Sequence, residues 1–156
     1  ATVSVWQTGA DGLYDIQRPG ATIDCRGVFA SDDRGVYALR TVKPRGYSIP
    51  LDGPVGKLVE TQGRHGMRPA HIHVLVAAPG YRELVTALYV EGDPHISDDV
   101  VFGSSGDLVA AIADGDPECP IDGLPTLRFD VSLAREGAID TTSGRVGADP
   151  GALSKY

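Results

Sequence analysis

The chain reads as an all-β protein, a β-sandwich with long functional loops and little helix. Three observations lead there. Short stretches of alternating apolar and polar residues recur along the chain, each closed by a turn signal. Gly 20 and Pro 11 make up about a fifth of the 156 residues, which favours turns over long helices. One stretch, residues 55–62, has a helical look, and eight residues without a cap make at most a short helix.

Taken in order, residues 1–8 (ATVSVWQT) alternate and form a strand. A turn follows at 9–12, and the chain resumes over 13–17. Residues 22–30 form a second extended segment. Ser31-Asp32-Asp33-Arg34-Gly35 is a hairpin turn with Gly at its end, and the strand returns over 36–42 (VYALRTV). Residues 43–54 hold three prolines and two glycines and read as a loop. A strand at 71–77 ends in Ala78-Pro79-Gly80, and its partner at 84–90 ends in Glu91-Gly92-Asp93-Pro94. Residues 126–133 (TLRFDVSL) are the last strand. One domain is expected over 1–136, and a loose tail rich in Gly, Ala, Ser, Thr and Asp over 137–156.

The length suffices for one domain with its own core. Net charge is −7 and no Lys/Arg run stands out, which argues against nucleic-acid binding. No stretch approaches the ~18 apolar residues of a membrane span. A strand over 1–8 leaves no place for a signal peptide. Cys25 and Cys119 define no disulfide framework and fit a cytoplasmic chain with free thiols. The first residue is Ala1, in mid-pattern, so a processed chain or a fragment is expected.

The most informative stretch is Arg68-Pro69-Ala70-His71-Ile72-His73. In a strand, residues i and i+2 face one side, roughly 6.5–7 Å apart at their Cα atoms. Both imidazoles would therefore address one spot, a comfortable span for a metal ion. Glu60, His65, Glu83, Glu91 and His95 are nearby candidates for a further ligand, and no spacing singles one out. Tyr14 and Tyr47 stand in unusual places for tyrosines, one just past a turn and the other in the Pro/Gly loop. A phenolate is a hard anionic ligand, and a trivalent cation would lower its pKa from about 10 far enough for it to persist at neutral pH. Zinc sites use His, Cys and carboxylates, so a set of two tyrosines and two histidines argues for ferric iron.

Val5-Trp6-Gln7, Asp11-Gly12-Leu13-Tyr14-Asp15, Gly46-Tyr47, Asp52-Gly53-Pro54-Val55-Gly56, Gly63-Arg64-His65 and the Arg68–His73 stretch come in one order. Ala78-Pro79-Gly80-Tyr81, Gly92-Asp93-Pro94 and Asp98-Asp99-Val100-Val101-Phe102-Gly103 continue it. This series resembles the intradiol ring-cleavage dioxygenases over about residues 1–133, and most of all their hydroxyquinol-cleaving branch. The resemblance implies a transthyretin-like β-sandwich. It implies Tyr14, Tyr47, His71 and His73 as ligands of a non-haem Fe(III), with Arg68 as the cation beside the substrate. It implies a small aromatic diol and O₂ as reactants. By the same resemblance the diol would chelate the iron, Tyr47 would leave it and accept a proton, and Arg68 would stabilise negative charge. The ring opens between the two hydroxyl carbons to a muconate-type diacid, and no organic cofactor is needed.

By the same resemblance Ile49, Pro50, Ala87 and Val100 line the substrate pocket. Catechol-cleaving members often carry Gln where this chain has Ala87, and a bulkier aromatic where it has Val100; both differences lean toward a more substituted ring such as hydroxyquinol. Relatives also carry a helical N-terminal region that is absent from this sequence, and the first strand of the sandwich is expected to be missing with it. If the chain is a fragment, an exposed apolar face would destabilise it or drive it into a homo-oligomer. Two other readings compete: a non-catalytic β-sandwich binding module with a vestigial metal site, and a zinc hydrolase using His71, His73 and a carboxylate. Trp6 is expected to pack the core, and Tyr37, Tyr81 and Tyr89 to pack rather than ligate. His65 and His95 read as solvated loop residues.

Overall fold

The computed structural model describes residues 1–20, 22–119, 121 and 123–137. Its strands are β1 (Thr2–Gln7), β2 (Arg26–Ala30), β3 (Tyr47–Ser48), β4 (Met67–Arg68), β5 (His71–Ala77), β6 (Leu84–Val90), β7 (Val109–Ala110), β8 (Ile112–Ala113) and β9 (Thr126–Leu127). Among the described residues one α-helix occurs, α1 (Pro54–Thr61), a residue earlier than expected. Pro54 begins it where a missing N–H costs nothing. The helix packs closely on the preceding loop, because a Cβ at Gly56 would collide with the backbone of Leu51. The fold is all-β, as expected.

The main sheet runs β2-β1-β5-β6-β7. Its first three pairings, β1 with β2, β1 with β5 and β5 with β6, are antiparallel, and β6 with β7 is parallel. Alternation in β1 and β5 sends Val3, Val5, Val74 and Val76 to one face, where they join Leu88 as the buried core. His71 and His73 emerge on the other face. The pairing register places Trp6 and Ala87 on either side of His73, and Tyr89 opposite His71. One sheet thus carries a core on one side and a polar row on the other.

Several expected strands are shorter or absent. Residues 13–17 tighten into a 3₁₀ turn at Asp15–Gln17. Only Arg26–Ala30 of the segment 22–30 joins a ladder. The turn at 31–35 forms, with the Asp32 N–H donating to Val36 O at 2.9 Å, but residues 36–42 make no ladder. Of residues 126–133, only Thr126–Leu127 pairs, with β8. These segments still form the second layer: Tyr37, Leu39, Leu127, Phe129, Val131 and Leu133 pack against the core, and the Tyr37 hydroxyl donates to Phe129 O at 2.8 Å. Alternation names the buried face of a segment, whereas a strand also needs a neighbour to take its N–H and C=O groups. An open cavity of about 970 Å³ lies beside these contacts, between part of this layer and the sheet, with Val5, Ile72, Val74, Leu88 and Val90 on its sheet side. The tail expected over 137–156 lies, apart from Gly137, outside the described residues.

Val76 is 4% exposed and sits away from that cavity. Val76→Ala removes buried methyl groups and leaves a hole, so it should lower the unfolding free energy by about 2 kcal/mol with an unchanged urea m value.

Candidate metal centre

Tyr14, Tyr47, His71 and His73 are brought together from three separate parts of the chain. The Tyr14 and Tyr47 hydroxyls are 3.4 Å apart. His73 Nε2 is 3.1 Å from the Tyr14 hydroxyl and 3.1 Å from His71 Nε2. Arg68 Nη1 lies 3.0 Å from His71 Nε2. All five residues singled out for the chemistry therefore share one site.

Each is set by local structure. His71 and His73 share a face through the period of β5. His71 Nδ1 lies 2.6 Å from the carbonyl of Pro69, an acceptor only, so Nδ1 carries the proton and Nε2 presents a lone pair to the site. His73 is flanked by Trp6, stacked on it at 4.9 Å and 8°. Trp6 therefore leaves the core expected for it and fixes a ligand candidate's ring instead. Tyr47 enters on β3, which pairs with β4 so that Tyr47 stands opposite Arg68. That approach requires Gly46: a Cβ there would sit 2.7 Å from Arg68 O.

Tyr14 comes from a loop with no ladder, and ion pairs hold it. The next residue, Asp15, is 5% exposed, and its carboxylate takes both Nε and Nη2 of Arg26 at 2.6 Å. Its oxygens also accept from the Ile16 and Asp24 N–H groups. Earlier in the loop, Arg18 grips Asp11 at 2.8 and 3.1 Å, and the Tyr14 N–H donates to Gln17 Oε1 at 2.8 Å.

The electrostatics suit a cation. Burial, with His71 and Arg68 nearby, lowers the His73 pKa to about 4. Burial likewise lowers that of His71, with Arg68 adding to the effect and the Pro69 hydrogen bond opposing it. Both rings are thus neutral at neutral pH, with lone pairs free for a cation. Burial and the hydrogen bond with Tyr47 push the Tyr14 phenol above its ordinary range. A cation between the rings is what would bring it down. Donor spacings near 3 Å are those demanded by bonds of about 2 Å to a single ion. The donor set fits ferric iron: two neutral nitrogens and two oxygens that become anionic under a high charge.

The remaining expectations divide. Ala87 sits opposite His73 on the site face. Val100 is buried and fixed through its backbone, its N–H donating to Met67 O and its carbonyl accepting from Arg64. Ile49 donates its N–H to Gly66 O, and Pro50 is exposed. His65 and His95 are tied to Asp98 at 2.9 and 3.1 Å, a cluster that sequence spacing did not show. The Met67 N–H donates to His65 Nδ1 at 3.1 Å, so Nε2 carries the proton and donates to Asp98. That polarity makes the cluster a hydrogen-bonded tie between two loops. Sequence reading also missed Asp99 and Tyr89, which contact Arg68. The Tyr89 signal is its period-2 relation to Ala87, which becomes readable once the register against β5 is known.

The fold agrees with comparisons to known proteins. A family model described as Dioxygenase (Dioxygenase_C) matches residues 1–135, and the chain belongs to that family. Its relatives there are intradiol ring-cleaving enzymes. The 6-chlorohydroxyquinol 1,2-dioxygenase of Cupriavidus pinatubonensis is 42% identical over 134 residues, 85% of this chain and 47% of that protein. The hydroxyquinol 1,2-dioxygenase of a Rhizobium species is 46% identical over 112 residues, 70% of this chain and 38% of its own length. Among solved structures, hydroxyquinol 1,2-dioxygenase from Pseudomonas putida DLL-E4 matches with a TM-score of 0.80 at 36% identity, over 86% of this chain and 50% of that one. The chain thus spans about half the length of the relatives it matches.

The Arg26 fork lowers the Asp15 carboxyl from an ordinary 3.8 to about 2, against an opposing effect of burial. Between those values the unfolded chain binds more protons, so this contribution is complete above 3.8 and lost as the pH falls toward 2. Asp15→Asn should flatten the acid limb of stability measured by urea unfolding from pH 5 downward. An unchanged limb would mean the fork contributes nothing to it.

Proposed function

We propose that residues 1–136 form the catalytic β-sandwich of a non-haem Fe(III) intradiol dioxygenase. Its substrate would be a catechol-type ring, hydroxyquinol foremost. The ring opens between its adjacent hydroxyl carbons, both atoms of O₂ enter the product, and a muconate-type diacid results. The observation that carries this reading is the convergence of Tyr14, Tyr47, His71 and His73 beside Arg68. The names of the relatives support it.

His71 and His73 would hold the iron through Nε2, and Tyr14 and Tyr47 through their phenolic oxygens. Bound ferric iron would supply Lewis-acid activation of a chelated diol toward O₂. The chain's own groups supply the rest. The Tyr47 oxygen accepts a proton from a substrate hydroxyl, acting as a general base. Arg68 presents a fixed cation whose side chain is 11% exposed, where negative charge on the ring is best stabilised. Ala87, small and opposite His73, leaves room on the site face for a further ring substituent. Val100, Ile49 and Pro50 complete the proposed pocket wall.

Iron-loaded protein should be red from tyrosinate-to-iron charge transfer, and the band should shift when hydroxyquinol or catechol is added without O₂. Tyr14→Phe and Tyr47→Phe should each weaken or abolish the colour. With O₂, uptake on a panel of hydroxyquinol, catechol, chlorocatechols and protocatechuate should be fastest for hydroxyquinol and give the diacid. Arg68→Ala should keep the colour and lose about 10²–10³-fold in kcat. A colourless iron-loaded protein would remove the tyrosines from the site. Colour without O₂ uptake on any panel member would favour the binding-module reading.

A further inference from the structure

The Arg68 guanidinium is held on two edges. Its Nε donates to Asp99 Oδ1 at 3.3 Å and its Nη2 to the Tyr89 hydroxyl at 3.1 Å. The third nitrogen, Nη1, is the one beside His71. The Asp99 side chain is 0% exposed, and its carboxylate also accepts from the Val101 and Gly103 N–H groups. Asp99 is therefore a rigid anchor. A single nitrogen-to-carboxylate contact at 3.3 Å is nonetheless a pivot, about which a planar fork can turn. The Nη1 contact with His71 Nε2 would be given up where that lone pair holds a metal, so the contact at Nη2 is what stops the rotation, and a neutral hydroxyl does so without cancelling more of the positive charge.

We propose that Tyr89 is a positioning residue for ring cleavage: its hydroxyl locks the plane of the Arg68 guanidinium so that Nη1 faces the substrate side of His71. The inference rests on the function proposed above. Tyr89 is 1% exposed and stands opposite His71 in the sheet, with the two rings 5.6 Å apart, so its own position is fixed by the ladder. Burial keeps the phenol protonated, a neutral partner for the cation. The loop after Asp99 also leaves space for this hydroxyl. A Cβ at Gly103 would lie 2.6 Å from the Tyr89 oxygen, 3.2 Å from Asp99 Oδ2 and 3.4 Å from Arg68 Nη2. Asp99 thus sets the charge balance of Arg68, and Tyr89 sets its orientation.

Tyr89→Phe deletes one oxygen and leaves the packing. In iron-loaded protein it should keep the tyrosinate colour and the KM for hydroxyquinol, while kcat falls about tenfold or more, as for a lost hydrogen bond to a charged group. Gly103→Ala should also lower kcat in the parent, because its Cβ would crowd the Tyr89 hydroxyl. The hold itself is read without turnover, in this chain carrying ¹⁵N-arginine and diamagnetic Ga(III) in place of iron. The Arg68 Nη–H signals, identified by their loss in Arg68→Lys, should be distinct in the parent and averaged in Tyr89→Phe. A parent with no ring cleavage would sink the proposed function, while the NMR result would still judge this inference. An unchanged kcat in an active parent, or an unchanged Arg68 pattern in Tyr89→Phe, overturns it.

Discussion

The two-residue period of β5 is the constraint on which the rest of the site depends. Ile72, Val74 and Val76 point one way and help close the core; His71 and His73 point the other way and meet at Nε2. A one-residue slip of this strand would exchange the two sets, burying imidazoles in the apolar layer and exposing valines. The pairings on both sides guard against that slip, since β1 and β6 must bury Val3, Val5 and Leu88 on the same face. The energy that holds the two histidines in register is thus largely hydrophobic and lies on the opposite face of the sheet from them.

The two tyrosines depend on a different kind of support. Neither belongs to the main sheet, so each is delivered by a loop whose backbone must be fixed by polar contacts. For Tyr14 these are two bidentate arginine–carboxylate pairs, one of them to a buried Asp15. For Tyr47 they are a two-residue pairing with Met67–Arg68 and the close approach allowed by Gly46. The Thr8 hydroxyl, donating to Arg45 O at 2.7 Å, joins the two loops where β1 ends. The histidines are thus held by the sheet and the tyrosines by anchored loops.

How much of this was legible in the sequence follows from which information is local. The His-x-His pair was readable because strand periodicity needs only neighbouring residues. Tyr14 and Tyr47 were readable through the order of motifs, since 33 residues separate them and no spacing rule spans that distance. Residues 36–42 show where alternation stops being informative: their apolar face does reach the core, yet no ladder forms, because hydrogen-bond partners come from distant chain. Trp6 was misplaced for a related reason. A tryptophan in an alternating strand has two faces to choose from, and only the register against His73 shows which it takes. Asp99 and Tyr89 stayed hidden because their role lies in a contact with Arg68 made across separate segments.

Trp6 is the chain's single tryptophan, so all of its indole emission originates 4.9 Å from an imidazole of the site. Fluorescence, ordinarily an average over several places in a protein, is here a local signal from one wall of the centre. An ion seated against His73 and absorbing visible light would take up that emission by energy transfer and dim it. The chain thus carries an optical gauge of its own occupancy, built from the same contact that keeps a histidine ring in place.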